Sequence, residues 1–414
     1  MTKHHSMAWY FDRGLERNAL LLDASNLDWF EFPLFSCVKD EIYRTLENSE
    51  EDIDWGYSYP GGKNILKDLI AQHERFIEQT NINRDDIVVV GNGVTGVLNF
   101  LAQILKNDIH DNNRRQILYP IPAYSGILKS LKHYDVDTVF IKTKEKDNFL
   151  PTYKAVKKSY TPETLAIILT NPANPVCKYI PQEELKKILS FCKEKDIYII
   201  IDAIFEEAPS KNPQFVQSFK LLKNYKKLIK IKGFSKDTPQ LGDLRLGWSI
   251  CKNKKVNKKL LQLCEITNFS NSTFLETLAS AEMKKRVSVD QRESGRSIKK
   301  YQLERSQYQN KVLSIIKDSV RFLQKQHVVE RVFMPDAGNI LFVKLNSCIK
   351  TRFGINNSHD LFIYILTHAN ILVTPGHVFG LNDTELWFRV TVSRSKKSFF
   401  NGLSKIIQLF DAEK

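Results

Sequence analysis

Between residues 62 and 300 the apolar positions alternate between two rhythms. In "GGKNILKDLIAQHERFIEQT" they fall at Ile65, Leu69, Ile70, Phe76 and Ile77, one stripe of a helix. "DIVVVGNG" (86–93) follows as a continuous apolar run that ends in a glycine turn, and "VTGVLNFLAQIL" reads as the next helix. The alternation recurs through "RQILYP", "DTVFIKT", "TLAIILTNP", "DIYIIIDAIF" and "KKLIKIKGF", with helical stretches such as "QEELKKILSFCKEK" (182–195) between them. Strands rich in Ile and Val that alternate with helices predict an α/β fold, a mostly parallel sheet covered on both faces. In such sheets ligands collect at the carboxyl ends of the strands.

Beyond about residue 300 the texture changes. Residues 297–326 read as one long charged helix, and "NILFVKL", "DLFIYILTHANILVTPG" and "ELWFRVTVS" predict a smaller α+β domain. The first 45 residues have an aromatic, loop-like character and are expected to pack with it. The expected division is therefore 1–45 with the small domain, 46–305 as the large domain and 306–414 as the small one. A length of 414 residues suits two domains, and 42% apolar content is enough to fill them.

No apolar run approaches the ~20 residues needed to cross a bilayer, so no membrane partner is expected. The amino terminus has no apolar signal region, and the six cysteines are scattered without a CxxC pair. That pattern suits reduced thiols in the cytoplasm, with neither a disulfide framework nor a metal site. The formal charge of +14, concentrated in "KNYKKLIKIK" (223–232) and "KNKKVNKKLL" (252–261), raises the question of nucleic acid. No nucleic-acid motif accompanies it, so a solvated Lys-rich surface that attracts small anions is the expectation.

One stretch stands apart, "KIKGFSKDTPQLGDLRLGW" (230–248), where Lys236 follows a strand end and a serine and lies nine residues ahead of Arg245. A lysine that condenses with a carbonyl needs a lowered pKa, which burial and a neighbouring cation provide. Asp202 ends the run "IYIII", a costly place for an unpaired carboxylate. "GNGVTG" offers backbone donors at a helix start, a common phosphate cradle.

These features stand with "GYSYPGGKNILKDLIA", "TNPANP", "ILVTPG" and "FRVTVS" in one order along residues 55–395. In that order the chain resembles the class I/II aminotransferases, fold type I enzymes dependent on pyridoxal 5'-phosphate. The resemblance implies a seven-stranded, mostly parallel sheet, a homodimer, and transfer of an amino group from an α-amino acid to a 2-oxo acid. It implies Lys236 as the Schiff-base lysine and proton carrier, Asp202 facing the cofactor's ring nitrogen, and Asn174 bonding its phenolic oxygen and serving the substrate side. Val94, Thr95, Ser235 and Arg245 fall to the phosphate, and Tyr57 to the phosphate of a partner subunit. Tyr124 is expected to stack on the ring, and Arg389 to grip the substrate's α-carboxylate with paired hydrogen bonds.

The chain also departs from the family pattern. Val176-Cys177 replaces the usual Thr-Gly, Gly233 stands where a second hydroxyl is common, and the lysine-to-arginine spacing is one residue longer. Phe205 stands where the family carries a tyrosine that bonds the cofactor's phenolic oxygen. Besides a working transaminase, that substitution suits elimination, cyclisation or oxidation of an amino acid, as in enzymes resembling capreomycidine synthase. A fold of this type that has lost catalysis is the remaining alternative, disfavoured by the presence of Lys236, Asp202 and Arg389 together.

Overall fold

The structure, a computed structural model, describes residues 6–23, 27–47, 56–107 and 114–411. Its strands are β1 (Leu20–Leu21), β2 (Ile87–Gly91), β3 (Gln116–Ile121), β4 (Thr138–Lys142), β5 (Thr164–Thr170), β6 (Tyr198–Asp202), β7 (Leu228–Gly233), β8 (Leu246–Cys251), β9 (Val329–Val332), β10 (Ile340–Leu345), β11 (Ile371–Leu372), β12 (Thr374–Pro375) and β13 (Trp387–Thr391). Seven of them form the large sheet in the order β2-β8-β7-β6-β5-β3-β4. It is parallel except at β8, which runs antiparallel to both β2 and β7. The pattern of apolar runs names six of these strands. The seventh, β8, was hidden because "LGWSIC" follows a loop without its own turn signal.

Both faces of the sheet are buried because its central strands carry apolar side chains on each side. Ile199 and Ile201 belong to one apolar cluster, and Ile200 with Ile168 to another. A second, smaller sheet has the order β12-β13-β10-β9 and is antiparallel. It packs with the helices Arg296–Leu323, Ser358–Ala369 and Lys396–Asp411 around Val320, Leu341, Ile365, Val390 and Leu403.

The amino-terminal segment differs from its loop-like expectation. It forms the helices Met7–Glu16 and Ser36–Glu47, joined through β1. Ser6 caps the first helix by accepting from the Trp9 N–H, a contact of the kind worth ~1 kcal/mol. Tyr10 and Leu22 join the apolar cluster of the small sheet, and β1 pairs in parallel with β11. The aromatic composition that suggested a loop is therefore that of a short helix with one buried face.

Beneath the large sheet lies a buried layer of charge. Lys230 and Lys232 on β7 are 1% and 2% exposed. Lys230 Nζ lies 2.8 Å from Glu78 and 2.8 Å from Glu206, and Lys232 Nζ lies 2.9 Å from Glu74 and 2.8 Å from Glu207. Glu74 and Glu78 come from the helix Asn64–Glu78. Losing one partner of such a buried pair leaves the other uncompensated, so the layer holds that helix and the strand in a single arrangement. His73 sits between Asp290 at 2.6 Å and Glu207 at 3.0 Å. Burial alone would lower its pKa, but the Glu207 charge and these bonds outweigh it and raise it to about 9.

Candidate active site

The carboxyl ends of β5, β6 and β7 converge on a cavity of about 200 Å³. Its lining includes Lys236, Asp202, Asn174, Val94, Thr95, Tyr124, Phe205, Ser235, Arg245 and Arg389, so ten of the residues singled out above share one space. Tyr57 is not among them: it is 87% exposed and meets Phe269 edge-on at 5.7 Å between ring centroids. The two sheets share the site, because Arg389 and Thr391 belong to β13 and the other polar residues belong to the large sheet with its loops and helices.

Lys236 lies three residues past β7, at the cavity floor, with some surface open to the cavity and protein packed around the rest. Burial first and the Arg389 charge second lower its pKa to about 8. Its Nζ is 5.9 Å from the centre of the Phe205 ring. Asp202 ends β6, pairs with Thr170 of β5 in register, and is 2% exposed. Burial raises its pKa to about 7, opposed only by the bond it accepts from the Ile204 N–H. It has no cationic partner among the described residues.

The cradle at Val94 and Thr95 follows from two glycines. Gly93 opens the helix Gly93–Asn107 at φ +68°, and its N–H donates to Arg245 O at 2.7 Å. On the facing strand a Cβ at Gly247 would lie 2.5 Å from Val94 N, so only glycine lets β8 approach the helix start. Arg245 donates from Nη2 to Asn92 O at 2.8 Å, which puts its guanidinium beside the same turn. The extra residue between Lys236 and Arg245 is absorbed by the short helical turn Leu241–Leu244, flanked by Gln240 and Arg245 at positive φ. At Gly233 a Cβ would meet Leu246 O at 3.0 Å, which accounts for the missing second hydroxyl.

Tyr124 precedes the helix Ser125–His133, and its ring folds over Gly126, where a Cβ would lie 2.4 Å from it. Asn174 sits in the loop after β5 and is buried. That loop closes despite Val176-Cys177: Cys177 takes φ +52°, donates from its N–H to Ala173 O at 2.6 Å, and packs with Phe205 in a small apolar cluster. Arg389 Nη1 donates to Asn174 Oδ1 at 3.3 Å, so the two residues expected on the substrate side are in contact.

Several residues at the site have no counterpart among the expectations. Asp23 pairs with Arg389 and accepts from the Thr391 hydroxyl. Met7 and Leu27 reach the cavity from the amino-terminal segment, and Asp243 reaches it from the turn before Arg245. Gln240 ties that segment down by donating to Leu27 O and Phe32 O. A lone aspartate after an apolar run carries no motif, and pairing with a residue 366 positions away leaves no local signal.

Comparison with known proteins agrees with this geometry. Residues 21–406 match the family model of aminotransferase class I and II, so the chain belongs to that family. It is a pyridoxal-phosphate-dependent transferase that moves an amino group between an amino acid and an oxo acid. Among its relatives, a probable aspartate/prephenate aminotransferase of Rickettsia felis is 25% identical over 348 residues, covering 82% of this chain and 78% of that one. A histidinol-phosphate aminotransferase of Methanococcus aeolicus is 26% identical over 270 residues, 58% and 69% of the two chains. The fold is shared with Thermus thermophilus aspartate aminotransferase crystallised with maleate, at a TM-score of 0.80 and 16% identity over 98% of this chain and 97% of that one. An Escherichia coli aminotransferase gives 0.81 and 17% over 97% and 94%.

Proposed function

We propose that this cavity holds the cofactor and performs amino transfer between an α-amino acid and a 2-oxo acid, with Lys236 as the residue that both carries the cofactor and moves the proton. The observation that carries the reading is the pairing of Lys236, with its lowered pKa, and the unpartnered buried carboxylate of Asp202 on neighbouring strand ends of one cavity. That carboxylate fits a protonated pyridine nitrogen, which would supply the missing cation. When bound, pyridoxal phosphate supplies an aldehyde that takes up the amino group and a ring that accepts electrons.

Each residue then has a task. Asp202 would keep a proton on the ring nitrogen. Asn174, whose Oδ1 already accepts from Arg389, has its amide N–H groups available to donate to the phenolic oxygen. The backbone of Val94 and Thr95, the Ser235 hydroxyl and Arg245 would hold the phosphate at a helix start, and Tyr124 would cover one ring face. Arg389 would orient the substrate carboxylate, and Phe205 would offer the ring no donor. Lys236 would take the α-proton at Nζ and hold it for return across the transferred nitrogen, a task suited to a base whose pKa is close to the working pH.

We further propose a homodimer, supported by exposed Tyr57, Tyr59, Ile266 and Phe269, with Tyr57 reaching the partner's phosphate. We also propose a biosynthetic role and a cytoplasmic setting, the latter supported by six free cysteines. Among the described residues, no helix is long and apolar enough to cross a membrane. We place the units at 1–45 with the small domain, 46–305, and 306–414, noting that the second boundary falls within the helix Arg296–Leu323.

The relatives are all named aminotransferases, and their names divide between aspartate or prephenate and histidinol phosphate, of which the last lacks a carboxylate. The test mixes purified holoenzyme with each protein amino acid and no acceptor. Release of a 2-oxo acid equal to the enzyme subunits, without ammonia, is expected for at least one of them. Ammonia release on every productive mixture would overturn amino transfer in favour of elimination.

A further inference from the structure

Arg389 is engaged on three sides in the described residues. Its guanidinium stacks on Phe379, with Cζ 4.8 Å from the ring centre. Its Nε donates to both Asp23 oxygens at 3.1 Å, Nη2 lies 3.0 Å from Oδ2, and Nη1 reaches Asn174. Asp23 is itself held: the Thr391 hydroxyl donates to Oδ1 at 2.5 Å, the Leu22 N–H donates to Leu372 O, and the Thr391 N–H donates to Leu22 O. A guanidinium has five N–H donors in a rigid fork. With the Nε–Nη2 edge taken, the pair left for a ligand is the Nη1–Nη2 end.

We propose that Asp23 is a positioning residue for carboxylate recognition: it clamps Arg389 so that only the Nη1–Nη2 end meets the ligand, and its charge moderates the grip of that end. The inference rests on the reading of Arg389 as the carboxylate site. Both consequences follow from simple electrostatics. A fixed fork gives direction to two parallel bonds. A carboxylate placed against the opposite edge of the same cation repels the incoming one across a few ångströms of buried space, where charges interact more strongly than in water. The site therefore discriminates by geometry, and its attraction for anions in general is reduced.

The same pair bears on Lys236. Arg389 and Arg245 lower its proton affinity, while Asp23 and Cys177 raise it, and Asp202, Asp243 and Tyr124 complete the titratable lining of the cavity. Removing the Asp23 charge should thus lower the pH at which the holoenzyme's visible absorption titrates.

The experiment compares two ligands that cannot undergo amino transfer, read by that absorption. One is 2-aminoisobutyrate, whose α-carbon bears no proton; the other is tert-butylamine, which also lacks an α-proton and has a methyl group in place of the carboxylate. Asp23→Asn keeps the shape and one acceptor but removes the charge. It should tighten 2-aminoisobutyrate about tenfold and leave tert-butylamine within about twofold, with the titration midpoint moved down. Asp23→Ala, which also loses the clamp, should bind 2-aminoisobutyrate more weakly than Asp23→Asn does. Unchanged affinity, equal changes for both ligands, or an unmoved midpoint in Asp23→Asn would overturn the proposal. Arg389→Ala separates the two readings. If it erases the preference for 2-aminoisobutyrate while Asp23→Asn changes nothing, only the role of Asp23 fails. If it leaves the preference intact, the reading of Arg389 fails as well.

Discussion

Arg286 donates to the Asp237 carboxylate at 2.7 Å, so the residue after Lys236 is held from the far side by the helix Thr273–Asp290. The same guanidinium donates to the Thr238 hydroxyl at 2.6 Å and to Glu282 at 3.1 Å, and it lies 5.4 Å from the centre of the Phe234 ring. Residues 234, 237 and 238 are thus anchored to one side chain, which fixes the short loop that carries Lys236. Replacing Arg286 with Leu leaves Asp237, Glu282 and Glu207 short of a buried partner. The expected cost is about 3–5 kcal/mol in chemical unfolding. A loss below about 1 kcal/mol would show that the loop is held by other contacts.

Asp202 offers a prediction with opposite signs for stability and binding. Its folded pKa, about 7, lies above the unfolded value of 3.8. The unfolded chain therefore ionises first, and the cost to the fold grows as pH rises from about 4 to 7 and is fully present above that. In the cofactor-free protein, Asp202→Asn should remove this decline and raise stability at pH 8, by up to roughly 4 kcal/mol. The same substitution should weaken cofactor binding. Parallel urea titrations at pH 5 and pH 8 measure the first effect, and a gain no larger at pH 8 than at pH 5 would contradict it.

Lys236 should be the most reactive lysine of the cofactor-free protein near neutral pH. Because burial and Arg389 hold its pKa at about 8, its amine is free above that pH, while exposed lysines stay protonated until about 10. The pH profile of labelling by an amine-selective reagent, followed on the peptide that contains Lys236, should have its midpoint near 8. A midpoint near 10 would mean that the ammonium is solvated.

The large sheet, its strand ends and most of the cavity lining were legible in the chain because they lie in long periodic segments whose side chains answer to local rules. The buried charge was not. "KLIKIKG" alternates in a way that normally turns its lysines to solvent, yet Lys230 and Lys232 face inward because Glu74, Glu78, Glu206 and Glu207 arrive from other segments to meet them. Asp23 and Arg286 escaped notice for the same reason, since each acts through a partner distant in sequence. The helix Met7–Glu16 shows no clear period because it buries only Tyr10 and Gly14, and Ser36–Glu47 shows none because it buries only Val38 and Thr45.

Gly247 tests the phosphate cradle without touching a polar group. Alanine there would press its Cβ against Gly93 and Val94 backbone atoms at 2.5 Å, and backbone cannot yield as a flexible side chain can. The helix start must move away, so cofactor affinity should fall by about tenfold or more, a loss of ~1.4 kcal/mol. Titration of the apoprotein with pyridoxal phosphate gives the answer. Undiminished affinity in Gly247→Ala would place the phosphate elsewhere.

The reading of Phe205 as a neighbour of the cofactor ring can be tested through the cofactor's electronics. A tyrosine hydroxyl in its place would donate to the phenolic oxygen and favour its charged form. Phe205→Tyr should therefore shift the holoenzyme's visible titration to lower pH, provided the ring sits where Lys236 and Phe205 place it, 5.9 Å apart. A titration that does not move, or moves upward, would show that the residue does not face that oxygen.

The central claim is that Lys236 carries the cofactor at the end of β7. Reducing the holoenzyme with borohydride fixes the cofactor to whichever amine holds it, and peptide mapping then reads the site. A single pyridoxyl group on Lys236 is expected, with no visible absorption in Lys236→Ala. A pyridoxyl group on any other lysine would contradict it.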